Sequence, residues 1–259
     1  SGAITIDKPG QVILERNSVV ISDKYIEVRC FIGIPARGRK VNSRVAEKMF
    51  LEELPKILNS VHKDTLVFDV GSTKLPICEA LLNHPNRKNF LATHPMAGTE
   101  FSGPNAAVEG LYLNKNNIVC DIEKTNPKIY EKALRIFKML NMNIIKMDSK
   151  SHDVHVAYVS HLSHISSFML GKTVIEKEKN EKNIFDLAGS GFESTVRLAK
   201  SSPATWTPIF LQNKNNLVLA INEYISNLNQ IKEMIEENNY STLSSVLNNT
   251  NRIKQILIK

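Results

Sequence analysis

Short continuous apolar runs and longer stretches of helical period divide this chain into three parts. Thr65-Leu66-Val67-Phe68-Asp69-Val70 is a compact apolar run of the kind found in strands buried on both faces. Residues 89–93 predict a second strand, ending at His94-Pro95. Residues 117–121 and 142–147 predict two more, with a helix over 127–140 between them. Gly71-Ser72-Thr73-Lys74 forms a loop leading into a helix whose first turn can hold Pro76. Beyond Asp148 no strand pattern remains, and residues 149–178, 184–200, 203–237 and 240–258 each read as a helix.

The first 60 residues have a different texture. Residues 12–22 and 25–34 flank the turn-forming Ser22-Asp23-Lys24, which suggests a β-hairpin. A basic loop, Pro35-Ala36-Arg37-Gly38-Arg39-Lys40, follows. A helix from about residue 41 to 60 comes next, with Val45, Met49 and Leu51 among its apolar positions. The expected organisation is a mixed head (1–63), an α/β middle (64–148) and an all-helical tail (149–259), with no internal repeat.

Composition narrows the classes. Hydrophobic residues at 42% and charged residues at 23% are globular values. No run approaches the ~18 apolar residues of a membrane span, and no signal-peptide core opens the sequence. A soluble, cytoplasmic chain is therefore expected. Cys30, Cys78 and Cys120 lie more than 40 residues apart with no CxxC pair, which excludes a disulfide scaffold and a zinc ribbon. Lys and Arg total 33 against 26 Asp and Glu, a net charge of +7. The basic residues are scattered and not interleaved with stacking aromatics, so a small anionic substrate suits the surplus better than nucleic acid.

Candidate chemistry sits where open α/β sheets bind ligands, beyond the carboxyl ends of the strands. The loop at Gly71 to Lys74 follows one strand and His94-Pro95-Met96-Ala97-Gly98-Thr99-Glu100 follows the next. A buried sheet would bring Ser72 and His94 together at its edge. The plainer alternative is that glycines and hydroxyl residues simply make turns. In the first tail helix, a wheel of about 100° per residue puts His155 near 300°, His161 near 180° and His164 near 120° from His152. A four-histidine metal site is thereby disfavoured, while His161 and His164 can share one ligand. Val154, Val156, Ala157, Val159, Leu162 and Ile165 surround that helix, which marks it as a core helix; histidines that are only satisfied core groups are the competing reading. His152-Asp153 reads as a helix cap as readily as a catalytic pair. Arg197, after a glycine-bearing stretch, is either a bidentate carboxylate clamp or a surface arginine.

Asp69-Val70-Gly71-Ser72-Thr73-Lys74, the stretch Thr93 to Glu100 with Ser102-Gly103, Ser160-His161-Leu162-Ser163-His164, and Gly191-Phe192 through Thr195-Val196-Arg197-Leu198-Ala199-Lys200 to Trp206 together resemble the prephenate dehydrogenase family. The resemblance runs from about Asp64 onward. It implies a Rossmann-type domain followed by a helical dimerisation domain, a homodimer, and NAD- or NADP-dependent oxidative decarboxylation of prephenate to 4-hydroxyphenylpyruvate in tyrosine biosynthesis. By the same resemblance His94 is the catalytic histidine and Ser72 orients it beside the nicotinamide. Arg197 holds a substrate carboxylate, while His161, His164, Glu100 and Trp206 line the pocket. Gly71, Ser72, Thr73 and Pro95 lie along the cofactor, and no metal is implied. Some relatives carry a basic residue four positions before the arginine; this chain has Glu193, which bears on prephenate against arogenate.

One departure is plain: the chain contains no G-x-G-x-x-G. Gly33-Ile34-Pro35-Ala36-Arg37-Gly38-Arg39-Lys40 is a near miss for a P-loop and suits a solvated connector. Ile32 to Lys40 and Ala46 to Pro55 resemble part of an ABC-class ATPase family, too short to bring a nucleotide site. The fold expected is thus α/β, partly Rossmann-like with an atypical N-terminal half, then an all-α domain. The competing reading is a catalytically impaired, dimeric prephenate- or tyrosine-binding module.

Overall fold

A computed structural model of the chain describes residues 43–98 and 108–257. The expected hairpin, the basic loop and Glu100 lie outside the described residues. Helix α1 (Ser43–Ser60) precedes a four-stranded sheet of β1 (Val67–Phe68), β2 (Phe90–Pro95), β3 (Asn116–Cys120) and β4 (Asn143–Met147). The strands lie side by side in chain order. β1 and β2 are parallel, β2 and β3 antiparallel, and β3 and β4 parallel. Consequently the amino end of β3 lies beside the carboxyl end of β2, with Asn117 opposite Pro95.

Alternate residues of these strands face opposite layers, as the pleat requires. On one face Val67, Phe90, Ala92, Ile118 and Cys120 pack with Leu54 and Leu58 of α1 and with Ile77, Cys78 and Leu81 in and just after α2 (Leu75–Ala80). On the other, Leu66, Phe68, Leu91 and Val119 meet Ile129, Ala133 and Phe137 of α3 (Pro127–Met139). Those three α3 residues recur every fourth position and so share one side of the helix. Burying each large apolar side chain contributes about 1.5–3 kcal/mol. α3 begins where the expectation put it: Asn126 caps it by accepting from the Lys128 N–H at 2.9 Å, and Pro127 fills the first turn.

The helical part opens with α4 (Ser149–Val156), capped by Asp148, whose carboxylate accepts from the Ser151 N–H. A π-helical segment, Ala157–His161, continues directly into α5 (Leu162–Glu178). Residues 149–178 are therefore one long helix, but not of uniform period. The other expected helices are interrupted. Residues 184–200 resolve into a 3-10 turn at Phe185–Leu187, α6 (Ser190–Val196) and another 3-10 turn at Arg197–Lys200. The cause is backbone: Asn183 is left-handed (φ 74) and Ala188 and Gly189 are extended, which no helix accommodates. Residues 203–237 divide at Asn213 into α7 (Pro203–Gln212) and α8 (Lys214–Glu236). Residues 240–258 divide into α9 (Tyr240–Thr250) and α10 (Ile253–Ile256). The described residues separate into two compact units, one ending at Lys214 and the other beginning at Asn215.

The expectation that the first tail helix is buried all round is corrected. Val156 and Ala157 are buried, yet Val159 is 70% exposed and His155 is also at the surface. A helix apolar on every side needs cover on every side. Within one chain only part of it is met. Among the described residues no helix is long and apolar enough to cross a membrane.

Candidate active site

Two strand tips form the floor of the site. Ser72 lies half-buried on the turn after β1, and His94, 8% exposed, is the penultimate residue of β2. One side chain ties the tips together. The Asp69 carboxylate accepts from the Gly71 N–H at 3.0 Å and the Thr93 N–H at 3.0 Å, and the Thr93 hydroxyl donates to the Asp69 carbonyl. Asp69 also pairs with the Lys74 ammonium, and both side chains are essentially shielded from solvent. An ammonium buried this deeply requires such a partner. Gly71 is held close in this corner, since a Cβ there would lie 3.2 Å from the Asp69 carboxylate.

Above this floor runs a row of histidines. His94 Nδ1 lies 2.9 Å from His152 Nε2, and His152 Nδ1 lies 2.7 Å from Asp153 Oδ1. The same Asp153 carboxylate accepts the Lys74 N–H at 2.8 Å and the Leu75 N–H at 2.9 Å, so it caps α2 from a helix far away in sequence. Thr73 is fixed as well, its hydroxyl donating to Gln212 Oε1 at 2.7 Å. Asn213 closes the row. Its Nδ2 donates to the Asp153 carbonyl at 2.6 Å, which fixes the amide orientation, and it contacts His161 Nδ1 at 3.2 Å. His161 Nδ1 must then accept, leaving its proton on Nε2.

His161 leads on to the remaining aromatic groups. Its ring stands 6.1 Å from Trp206, edge to face, and Trp206 stacks on His164 with centroids 3.4 Å apart. His164 Nδ1 bonds the Ser160 carbonyl at 2.9 Å. Arg197, exposed on its 3-10 turn, is near enough to His164 for its charge to be felt there.

The electrostatics follow from burial. His94 is pushed well below the ordinary histidine range by loss of solvent, and further by Lys74, His152 and His161. Burial lowers His161 to about 4, against the opposing pull of Asp153. His164 is also lowered, by burial first and by Arg197, with its bond to Ser160 acting the other way. Near neutral pH these rings are uncharged, and His94 in that state is an acceptor suited to proton abstraction. Among the described residues no group of three or more His, Cys, Asp or Glu could hold a metal ion.

Of the residues singled out in the sequence, His94 joins His161 electrostatically, and His161, Trp206, His164 and Arg197 follow in continuous order. Ser72, Gly71, Thr73 and Pro95 stand at the carboxyl edge of β1 and β2. Sequence reasoning gave Asp69, Lys74 and Asn213 no role of their own, and it weighed His152-Asp153 as a cap or a catalytic pair without joining them to His94. The wheel that set His152 opposite His161 fails because the π segment between them turns less per residue than an α-helix. His152-Asp153 does not cap its own helix; Asp148 does that.

These features define a class: a Rossmann-like α/β sheet followed by a helical domain, carrying a neutral buried histidine at a strand tip. Residues 47–146 match the family described as prephenate dehydrogenase, nucleotide-binding domain, and residues 148–249 match its dimerization domain. The chain is 33% identical to the crystal structure of prephenate dehydrogenase from Aquifex aeolicus in complex with hydroxyphenyl propionate and NAD+. The TM-score is 0.73, covering 82% of this chain and 73% of that one. A Synechocystis arogenate dehydrogenase structure matches at 25% identity and TM-score 0.67, covering 82% of this chain and 76% of that one. A curated prephenate dehydrogenase from Bacillus subtilis (strain 168) is 30% identical over 200 residues, 75% of this chain. This chain belongs to the prephenate dehydrogenase family. It spans about half the length of that curated relative, 52%. Residues 1–64 match a different family, the ABC-class ATPase N-terminal.

Proposed function

We propose that this chain catalyses the NAD-dependent oxidative decarboxylation of prephenate to 4-hydroxyphenylpyruvate, in the cytoplasm, as a homodimer paired through its helical domain. The observation that carries the reading is His94, neutral and buried at a strand tip, with one nitrogen engaged by His152. Its other nitrogen accepts the proton of the substrate's ring hydroxyl. The ring carboxylate then leaves as CO2, its bonding electrons enter the ring, and the proton returns from His94 to the phenolate oxygen. Aromatisation drives this sequence. Ser72 orients His94 beside the nicotinamide. Arg197 pairs with a carboxylate. His161 presents an N–H, and His164 and Trp206 complete the pocket wall.

Bound NAD supplies the acceptor for the hydride leaving the carbinol carbon. The described residues fit its nicotinamide end. Gly71, Ser72, Thr73 and Pro95 lie at the sheet's carboxyl edge, where such ligands bind. The buried Asn117 amide opposite Pro95 is orphaned, offering both a donor and an acceptor there. The pyrophosphate end has no matching glycine turn in these 259 residues; NADP, which carries the same nicotinamide, is the alternative acceptor. For the dimer, the supporting observation is exposed apolar surface on the helical part: Val159 at 70% and Leu187 at 89%.

The test is direct. Prephenate with NAD, and separately with NADP, should give reduced cofactor by absorbance, with 4-hydroxyphenylpyruvate as product. No turnover with either, together with prephenate binding by calorimetry and no NAD binding, would favour the non-catalytic module. Arogenate should be run alongside, because Glu193, ion-paired to Lys200 at 3.3 Å, places an acid near Arg197 in sequence. Faster turnover of arogenate would reassign the substrate without changing the chemistry.

A further inference from the structure

His152 and Asp153 have no part in the chemistry described above, yet both are almost wholly buried and lie in line behind His94. The contacts impose an order on the protons. Asp153 Oδ1 already accepts the Lys74 N–H, and Oδ2 accepts the Leu75 N–H. An ionised carboxylate has no proton to offer, so His152 Nδ1 must be the donor in its 2.7 Å contact. A neutral His152 then has a bare Nε2, which can only accept. The proton in the 2.9 Å contact between the two rings therefore belongs to His94 Nδ1. That leaves the lone pair of His94 on Nε2.

We propose that His152 and Asp153 are positioning residues that lock His94 in its Nδ1–H tautomer and aim a bare Nε2 at the substrate's hydroxyl proton. Without the lock the proton can reside on Nε2, and the ring becomes a donor where a base is needed. The same carboxylate holds the amino end of α2, just after the turn bearing Ser72 and Thr73. One group thus sets both the tautomer of the base and the position of the loop proposed to lie along the cofactor. The tautomer itself does not depend on the proposed reaction; its consequence for turnover rests on that reading.

The experiment has two arms. In the first, the histidine rings of the whole chain are labelled with 15N and their nitrogen shifts recorded near neutral pH, the His94 signals being assigned from their loss in His94→Asn. A protonated and a bare ring nitrogen differ widely in shift. The expected result is protonated Nδ1 and bare Nε2 on His94. Protonated Nε2, the pattern that a doubly protonated His152 would impose, overturns the proposal with no variant required. In the second arm, His152→Phe keeps a ring but removes the acceptor, whereas His152→Gln can still accept from His94 Nδ1–H. With prephenate and NAD, His152→Phe should lower kcat by about 100-fold or more, the usual range for losing an acid–base partner. Prephenate affinity should change less than about threefold, and His152→Gln should recover most of kcat. A His152→Phe protein that keeps kcat and keeps the Nδ1–H signal on His94 sinks the proposal. The expected tautomer in a protein that does not turn over prephenate supports the lock and sinks the functional reading instead.

Discussion

Acid should destabilise this protein through its buried imidazoles, and His161 shows by how much. Its proton affinity in the folded chain sits at about 4 against 6.5 for a free side chain. The ring is 1% exposed, so solvent screening offers little relief. A depressed folded value means the unfolded chain binds the proton more tightly. Stability is therefore intact above about pH 6.5 and is lost as pH falls toward 4. Each unit is worth about 1.4 kcal/mol, so His161 alone should remove roughly 3 kcal/mol between pH 7 and 4. His94 acts in the same direction. The perturbation that isolates His161 is His161→Asn, whose amide oxygen can still accept from Asn213 but takes up no proton. Urea unfolding of both proteins at pH 7, 6, 5 and 4 should show a steeper fall for the native sequence. The variant carries a constant packing penalty at every pH. Parallel curves from pH 7 to 4 would refute the reasoning, because they would mean His161 is protonated as easily folded as unfolded.

Two further outcomes are expected. Lys74→Met strands the Asp69 carboxylate in a site with no solvent, and breaking a buried pair from one side costs about 3–5 kcal/mol. The Gly71 and Thr93 N–H groups that still face Asp69 favour the low end of that range, and adding Asp69→Asn should recover part of the loss in thermal unfolding. Arg197→Met should weaken prephenate binding by roughly tenfold to a hundredfold, the value of a charged hydrogen-bonded contact of about 1.5–3 kcal/mol. Calorimetry showing unchanged affinity would remove Arg197 from the substrate site.

How much of this was legible in the sequence depended on whether the cause was local. The run around Val67 and Phe68, the start of α3 at Pro127 and the strand leading to His94 are set by neighbours in the chain, and the structure has them where the pattern suggested. Strand direction was not legible: nothing in residues 116–120 says that β3 runs antiparallel to β2. Asp153 was misjudged because its partners, Lys74 and Leu75, lie 79 and 78 positions away. The pairing of His152 with the rest of the site was hidden by assuming a uniform helical period. Val159 was expected inside, since an apolar residue on an apolar helix gives no hint that one copy of the chain leaves it uncovered.

The π segment at Ala157–His161 carries a consequence for variation in length. Such a segment is an α-helix carrying a surplus residue, so losing a single codon there would let the helix close into ordinary geometry with no loss of backbone bonds. The segment spreads that surplus over its wider turn, so the helices on either side would keep their mutual phase, and His152 and His161 would stay on one side of the helix. The same deletion in the ordinary α-helical stretch between His152 and Ala157 would instead rotate everything beyond it by about 100° and draw it in by about 1.5 Å. Loss of one residue is thus absorbed at the π segment and breaks the site a turn earlier.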